Sequence, residues 1–124
     1  DMFREMFLVA GLAKVKEEDA SVVSAERVLR MATVHGAKAM RLNKADTIAK
    51  GKYADLILID LHKPNMQPEH NIIGNLVYSG SKDNVRMTMI NGKILYKDGE
   101  YNIGESPEHI YKTCNGILKR MLSE

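Results

Sequence analysis

Apolar and polar positions along this chain fall into a helical stretch, an extended stretch and a second helical stretch, in that order. Met2, Phe3, Met6, Phe7, Ala10 and Ala13 recur at helical spacing, and Asp1 is placed to cap the first turn. Leu8, Val9 and Leu12 make this helix apolar almost all round, which predicts burial on more than one side. A charged break from Lys14 to Asp19 follows. Ser24 then suits the N-cap of a second helix carrying Ala25, Val28, Leu29 and Ala32 on one face. Gly36 is expected to bend or break it, with Ala37 to Leu42 adding a further turn or two.

The middle of the chain reads as β structure. Leu56-Ile57-Leu58-Ile59 is a continuous apolar run between Asp55 and Asp60, the pattern of a strand buried on both faces. A loop from His62 to Ile73 holds Pro64 and Pro68, and Leu76-Val77-Tyr78 reads as a second short strand ended by Gly80. Asn91-Gly92 suits a two-residue type I′ turn, because both central residues need positive φ. That turn sets Ile90 opposite Lys93, Met89 opposite Ile94 and Met87 opposite Tyr96. Val85, Met87, Met89, Ile94 and Tyr96 then share one face, with Arg86, Thr88 and Lys97 on the other. Asp98-Gly99 marks a second turn. The chain closes on a helix with Ser106 as cap, Pro107 at its first position and Glu108 in its first turn. Ile110, Tyr111, Cys114, Ile117, Leu118 and Met121 form its apolar stripe.

Composition narrows the class. With 124 residues, 44% hydrophobic and 27% charged, the chain is globular and of a size for one domain, so wholesale disorder is excluded. A complete eight-fold β/α barrel, at about 250 residues, does not fit. The sequence opens on Asp1 and not on Met, which raises the expectation of an excerpt from a longer protein. A net charge of +2 with scattered cations, and only five Tyr and two Phe, argues against a nucleic-acid partner. One cysteine, Cys114, cannot form an internal disulfide, which suits a reducing cytoplasm. The apolar run Met6 to Ala13 is too short to span a bilayer and lacks the flanks of a signal peptide, so no membrane partner is expected. The eight Met residues fall mostly at core positions of the helices and hairpin; a flexible binding surface is the alternative.

Candidate chemistry is sparse. Among His35, His62, His70 and His109, no two form the H-x-H or H-E-x-x-H pairs that place two imidazoles on one metal. Asp60 and His62 make a two-ligand fragment at most, and two ligands without a third are not a site. His109 reads as a solvated first-turn residue and His35 as a helix end. Gly51-Lys52 fails as a phosphate loop, because position 46 is Asp and position 53 is Tyr where Gly and Ser or Thr are needed. No G-x-G-x-x-G occurs. Ser79-Gly80-Ser81 is not a nucleophile elbow. Cys114, on the apolar stripe, reads as a small core residue. The residues alone thus describe a small α+β unit with no assembled catalytic, cofactor-binding or metal site.

Two stretches nevertheless resemble a known family. The run Glu26 to Met40, with its Met31-Ala32-Thr33 leading into Gly36-Ala37, resembles the helix pair late in metal-dependent amidohydrolases. Ile48 to Asp60, containing Gly51-Lys52-Tyr53-Ala54-Asp55-Leu56, resembles the strand lead-in by which that family's chain leaves its barrel. Pro64 through Asn71 to Asn75-Leu76-Val77-Tyr78-Ser79 is similar to the branch that deaminates S-adenosylhomocysteine, methylthioadenosine and related amino-heterocycles and includes chlorohydrolases. Val85 to Leu95 resembles the family's closing hairpin.

The resemblance implies a C-terminal fragment: residues 1–46 as terminal helices of a truncated barrel, 47–104 as C-terminal strands of a composite β-sandwich, and 105–124 as a C-terminal helix. It implies a parent enzyme in which a divalent metal, zinc or iron, activates water for attack on an amino-heterocycle or adenosine derivative. The family's metal ligands have no counterpart in these residues, and Asp1 is not one of them, so the fragment itself is expected to hold no metal and to be inactive. Its expected partners are the missing N-terminal strands and barrel, or a second copy through strand edges or helix faces. Two rival readings stand beside this one. One is a non-catalytic, stand-alone binding or assembly module derived from the sandwich; the other is an amidohydrolase with a cyclic amide or imidazolone substrate.

Overall fold

Asp1 does start the first helix: its carboxylate accepts the Phe3 N–H at 3.1 Å, and α1 runs from Met2 to Glu17. The computed structural model describes residues 1–123. The expected charged break is absorbed into α1 as its last turn, where Lys14 and Lys16 face the negative end of the helix dipole. The stop comes at Glu18, whose left-handed backbone (φ 51°) turns its N–H back to the Lys14 and Val15 carbonyls. Asp19 then folds the linker, accepting both the backbone N–H and the hydroxyl of Ser21 at 2.7 Å. These bonds hold its carboxyl below the usual carboxylate range.

Ser24 caps α2 (Ala25–Arg30), its hydroxyl accepting the Arg27 N–H at 3.2 Å. The helix does not break at Gly36. It passes through a π-helical turn, Met31–His35, into α3 (Gly36–Ala39), with the Gly36 N–H reaching the Met31 carbonyl five residues back. A Cβ at position 36 would sit 3.0 Å from that same oxygen, so glycine permits the wider turn.

The segment read as a second strand is helical. α4 spans Ile72–Tyr78, capped by the Asn71 side chain, which accepts the Gly74 N–H at 2.8 Å. Its apolar residues carry no strand pairing because Val77 is buried between α1 and α2, with Leu76 packed at the edge of the same cluster. Gly80 lets the chain leave α4 beside α1, since a Cβ there would fall 2.7 Å from the Phe3 ring and 2.6 Å from the Leu76 carbonyl oxygen. Phe3, Met6, Ala10, Val23, Val28 and Val77 make one buried cluster, and Ile59 and Val85 pack on its margin.

Those last two residues attach the sheet. Strands β1 (Leu56–Ile59), β2 (Val85–Ile90), β3 (Lys93–Lys97) and β4 (Glu100–Tyr101) lie in sequence order, each antiparallel to the next. The hairpin forms as expected at its tip, with Asn91 and Gly92 at φ 49° and 77°, and Ile90 facing Lys93 and Met89 facing Ile94. Beyond that the register slips by one. Leu95 is an extra residue, its carbonyl taken by the Asn102 N–H at 2.8 Å, so Tyr96 faces Thr88 and Lys97 faces Met87. Tyr96 therefore leaves the Met87 face and meets Tyr101 of β4, ring centroids 5.0 Å apart. Asp98 and Gly99 make the second turn, both at positive φ. The tip of the hairpin also holds the chain entering β1: the Asn91 N–H donates to Asp55 at 2.6 Å and the Gly92 N–H to the Ala54 carbonyl at 3.1 Å.

β1 is not buried on both faces. Ile57 is 46% and Leu58 53% exposed, because the strand has one neighbour and its second edge is open. α5 (Pro107–Leu122) is capped by Ser106, whose hydroxyl accepts the His109 N–H at 3.1 Å, yet none of its residues is buried. Cys114 is accordingly exposed, not a core residue. The methionines divide likewise: Met6, Met66 and Met87 are buried, whereas Met2, Met31, Met40 and Met121 are exposed. Among the described residues, no helix is long and apolar enough to cross a membrane.

Candidate functional site

Asp60 and His62 sit where β1 runs out into the loop, at the rim of a hollow of about 530 Å³ floored by Leu58, Ile59 and Met87. They do not converge on a point. The Asp60 carboxylate accepts the backbone N–H of His62 at 2.9 Å, while the His62 imidazole is 92% exposed, with Nδ1 3.9 Å from Glu69. Glu69 is itself held by the Gln67 amide at 2.9 Å, which also donates to the Leu61 carbonyl. The hollow's strong cation is internal: Arg86 donates to Asp98 through Nε and Nη2, both at 2.7 Å. The hydrogen bond to Asp98, with further attraction from Asp60, holds the guanidinium proton more firmly than usual. A guanidinium in the same hollow as the carboxylates opposes a second cation there.

The other singled-out residues are dispersed. His35, His70 and His109 are exposed, and His109 lies only 3.9 Å from Glu105 one turn before it. Lys52 staples the loop ahead of β1, donating to Asp46 at 2.6 Å and to the Asn43 carbonyl, a geometry that leaves no phosphate cradle at Gly51. That bond holds the Asp46 carboxyl below the usual range. Ser79 offers its carbonyl to the Asn65 amide, and Ser81 caps the 3₁₀ turn Lys82–Asn84. Among the described residues, no three His, Cys, Asp or Glu side chains are grouped to hold a metal ion.

Sequence reasoning passed over the most buried polar feature. Asn84 is fully buried and pairs reciprocally with the Asn65 amide (2.8 and 3.2 Å). It also accepts the Ser81 N–H at 3.0 Å and donates to the Asp60 carbonyl at 3.3 Å. Asn75 donates to the Met66 and Pro68 carbonyls at 2.8 and 2.9 Å. Together these amides tie the loop after β1 to α4 and to the start of β2. The S-x-x-N spacing of Ser81 and Asn84 was the available signal. Two adjoining apolar recesses, which share Ala32 and Met40, border the helical unit. One of about 290 Å³ is lined by Met2, Met6, Val9, Val28, Met31 and Met40; a second runs between Ala37, Met40 and Ile57. The second also carries the carboxylates of Asp46 and Asp55, which are engaged by Lys52 and by the Asn91 N–H respectively.

The chain has relatives among known proteins. The family model described as "Amidohydrolase family" matches residues 1–95. A 5-methylthioadenosine/S-adenosylhomocysteine deaminase of Thermococcus onnurineus is 47% identical over 100 residues, covering 81% of this chain and 23% of the relative. A second such deaminase, from Archaeoglobus fulgidus, is 37% identical over 121 residues, covering 98% of this chain and 28% of the relative. The crystal structure of an adenosine deaminase from Xanthomonas campestris with bound zinc superposes with a TM-score of 0.93 at 30% identity, over all of this chain and 28% of that one. A triazine hydrolase variant shares the fold with a TM-score of 0.79 at 19% identity, over 91% of this chain and 25% of its own. The chain thus spans about a quarter of the length of the curated relatives it matches.

Proposed function

Because the chain belongs to the amidohydrolase family, we propose that it is the C-terminal quarter of a hydrolase acting on carbon–nitrogen bonds other than peptide bonds. The parent reaction in this reading is hydrolytic deamination of an adenosine derivative. The observation that carries it is the 47% identity with a 5-methylthioadenosine/S-adenosylhomocysteine deaminase over 100 residues. The residues described do not fit a divalent-metal site, so none of them is given a part in activating water. Zinc or iron, with the acid–base groups, belongs to the remainder of the polypeptide. This chain's own contribution is mechanical. α1, α2 and α4 brace one another through a shared core, and the amides of Asn84 and Asn75 fix the loop that carries the chain from β1 back to β2.

The partner of this chain, in the same reading, is the rest of the polypeptide, covering the open edge of β1 and the apolar recesses. Alone, the chain is expected to self-associate through that edge. A cytoplasmic location goes with this reading, as the single cysteine suits a reducing compartment.

Two measurements test it. The isolated chain should release no ammonia from 5-methylthioadenosine or S-adenosylhomocysteine and hold no stoichiometric zinc, whereas a chimera in which it replaces the matching segment of the Thermococcus onnurineus deaminase should keep deaminating. Turnover by the isolated chain, or a folded, zinc-loaded chimera without activity, overturns the proposal. Light scattering on the isolated chain should give the mass of a dimer or larger species; a monomer at moderate concentration removes the self-association.

A further inference from the structure

We draw no further inference here: the strongest candidate, the apolar stripe of helix α5 carried by Tyr111, Ile117, Leu118 and Met121, carries nothing because nothing in the structure shows what covers it.

Discussion

The helical unit and the sheet handle the same kind of side chain in opposite ways. α1, α2 and α4 turn Phe3, Met6, Ala10, Val28 and Val77 towards one another and bury them, whereas the four strands bury Met87 alone and leave Ile57, Leu58 and Ile90 about half exposed. Both regions are rich in Ile, Leu, Val and Met, so composition does not separate them. What separates them is whether the second wall of the core lies within these residues. Three helices supply walls for each other, while a sheet needs a layer on each apolar face and a neighbour on each edge. The difference shows a unit whose helices close one core of their own, though Phe7, Leu12 and Val15 on the outer side of α1 stay more than half exposed and not buried as the all-round apolar pattern predicts, and whose sheet is half of a larger packing arrangement.

Placing the same charge in each region gives the sharpest contrast. Ala10 has no exposure, so Ala10→Asp should cost more than about 4 kcal/mol and abolish cooperative unfolding by urea. Leu58→Asp, at a position 53% exposed, should shift stability by no more than about 0.5 kcal/mol in dilute solution and lower the associated mass. Equal losses would mean that the sheet is closed after all. An effect between these two is expected at the seam between the regions. Asn84→Leu leaves the Ser81 N–H, the Asp60 carbonyl and the Asn65 amide without their partner, at about 2–4 kcal/mol by chemical denaturation. A neutral result would show that the seam is held by apolar packing alone.

The smallest effect concerns the loop before β1. Lys52 lowers the Asp46 pKa below its ordinary value of 3.8, so this pair's stabilisation is fully present above that value and is lost as pH falls through the depressed one. Unfolding midpoints measured at pH 6 and pH 3 should therefore differ more in the native chain than in Lys52→Met. An unchanged difference would remove the pair from the stability of this loop.

Much of this architecture was readable from local chemistry. Asp1, Ser24 and Ser106 cap the helices that their positions announce, and Asn91-Gly92 makes its hairpin, because each depends on side chains within a few residues. The likeness of residues 26–40 and 48–60 to amidohydrolases agrees with the family model over residues 1–95. Local patterns failed where a distant contact decides. Leu76-Val77-Tyr78 has the look of a strand, but α4 forms because Asn71 caps it and because Val77 drops into a pocket made by α1 and α2, far earlier in the chain. The slip at Leu95 arises where Asn102 claims a carbonyl, and alternation along β3 gives no sign of it. Cys114 and the α5 stripe have core character, yet no residue of α5 is buried.

The two hydrogen bonds from the hairpin tip to Ala54 and Asp55 solve a problem of phase. A strand reading Leu-Ile-Leu-Ile has no polar face, so alternation of polar and apolar residues does not mark its register along β2. Its faces therefore cannot say where it starts. The tip can: Asn91 and Gly92 hold the two residues ahead of β1 and so set the zero mark from which Leu56 meets Met89 and Leu58 meets Met87. Because the turn that closes one hairpin also counts off its neighbour, loss of the Asp55 carboxylate would remove one of the marks that keep β1 in step, leaving the Gly92–Ala54 bond at one end and the Asn84–Asp60 bonds at the other.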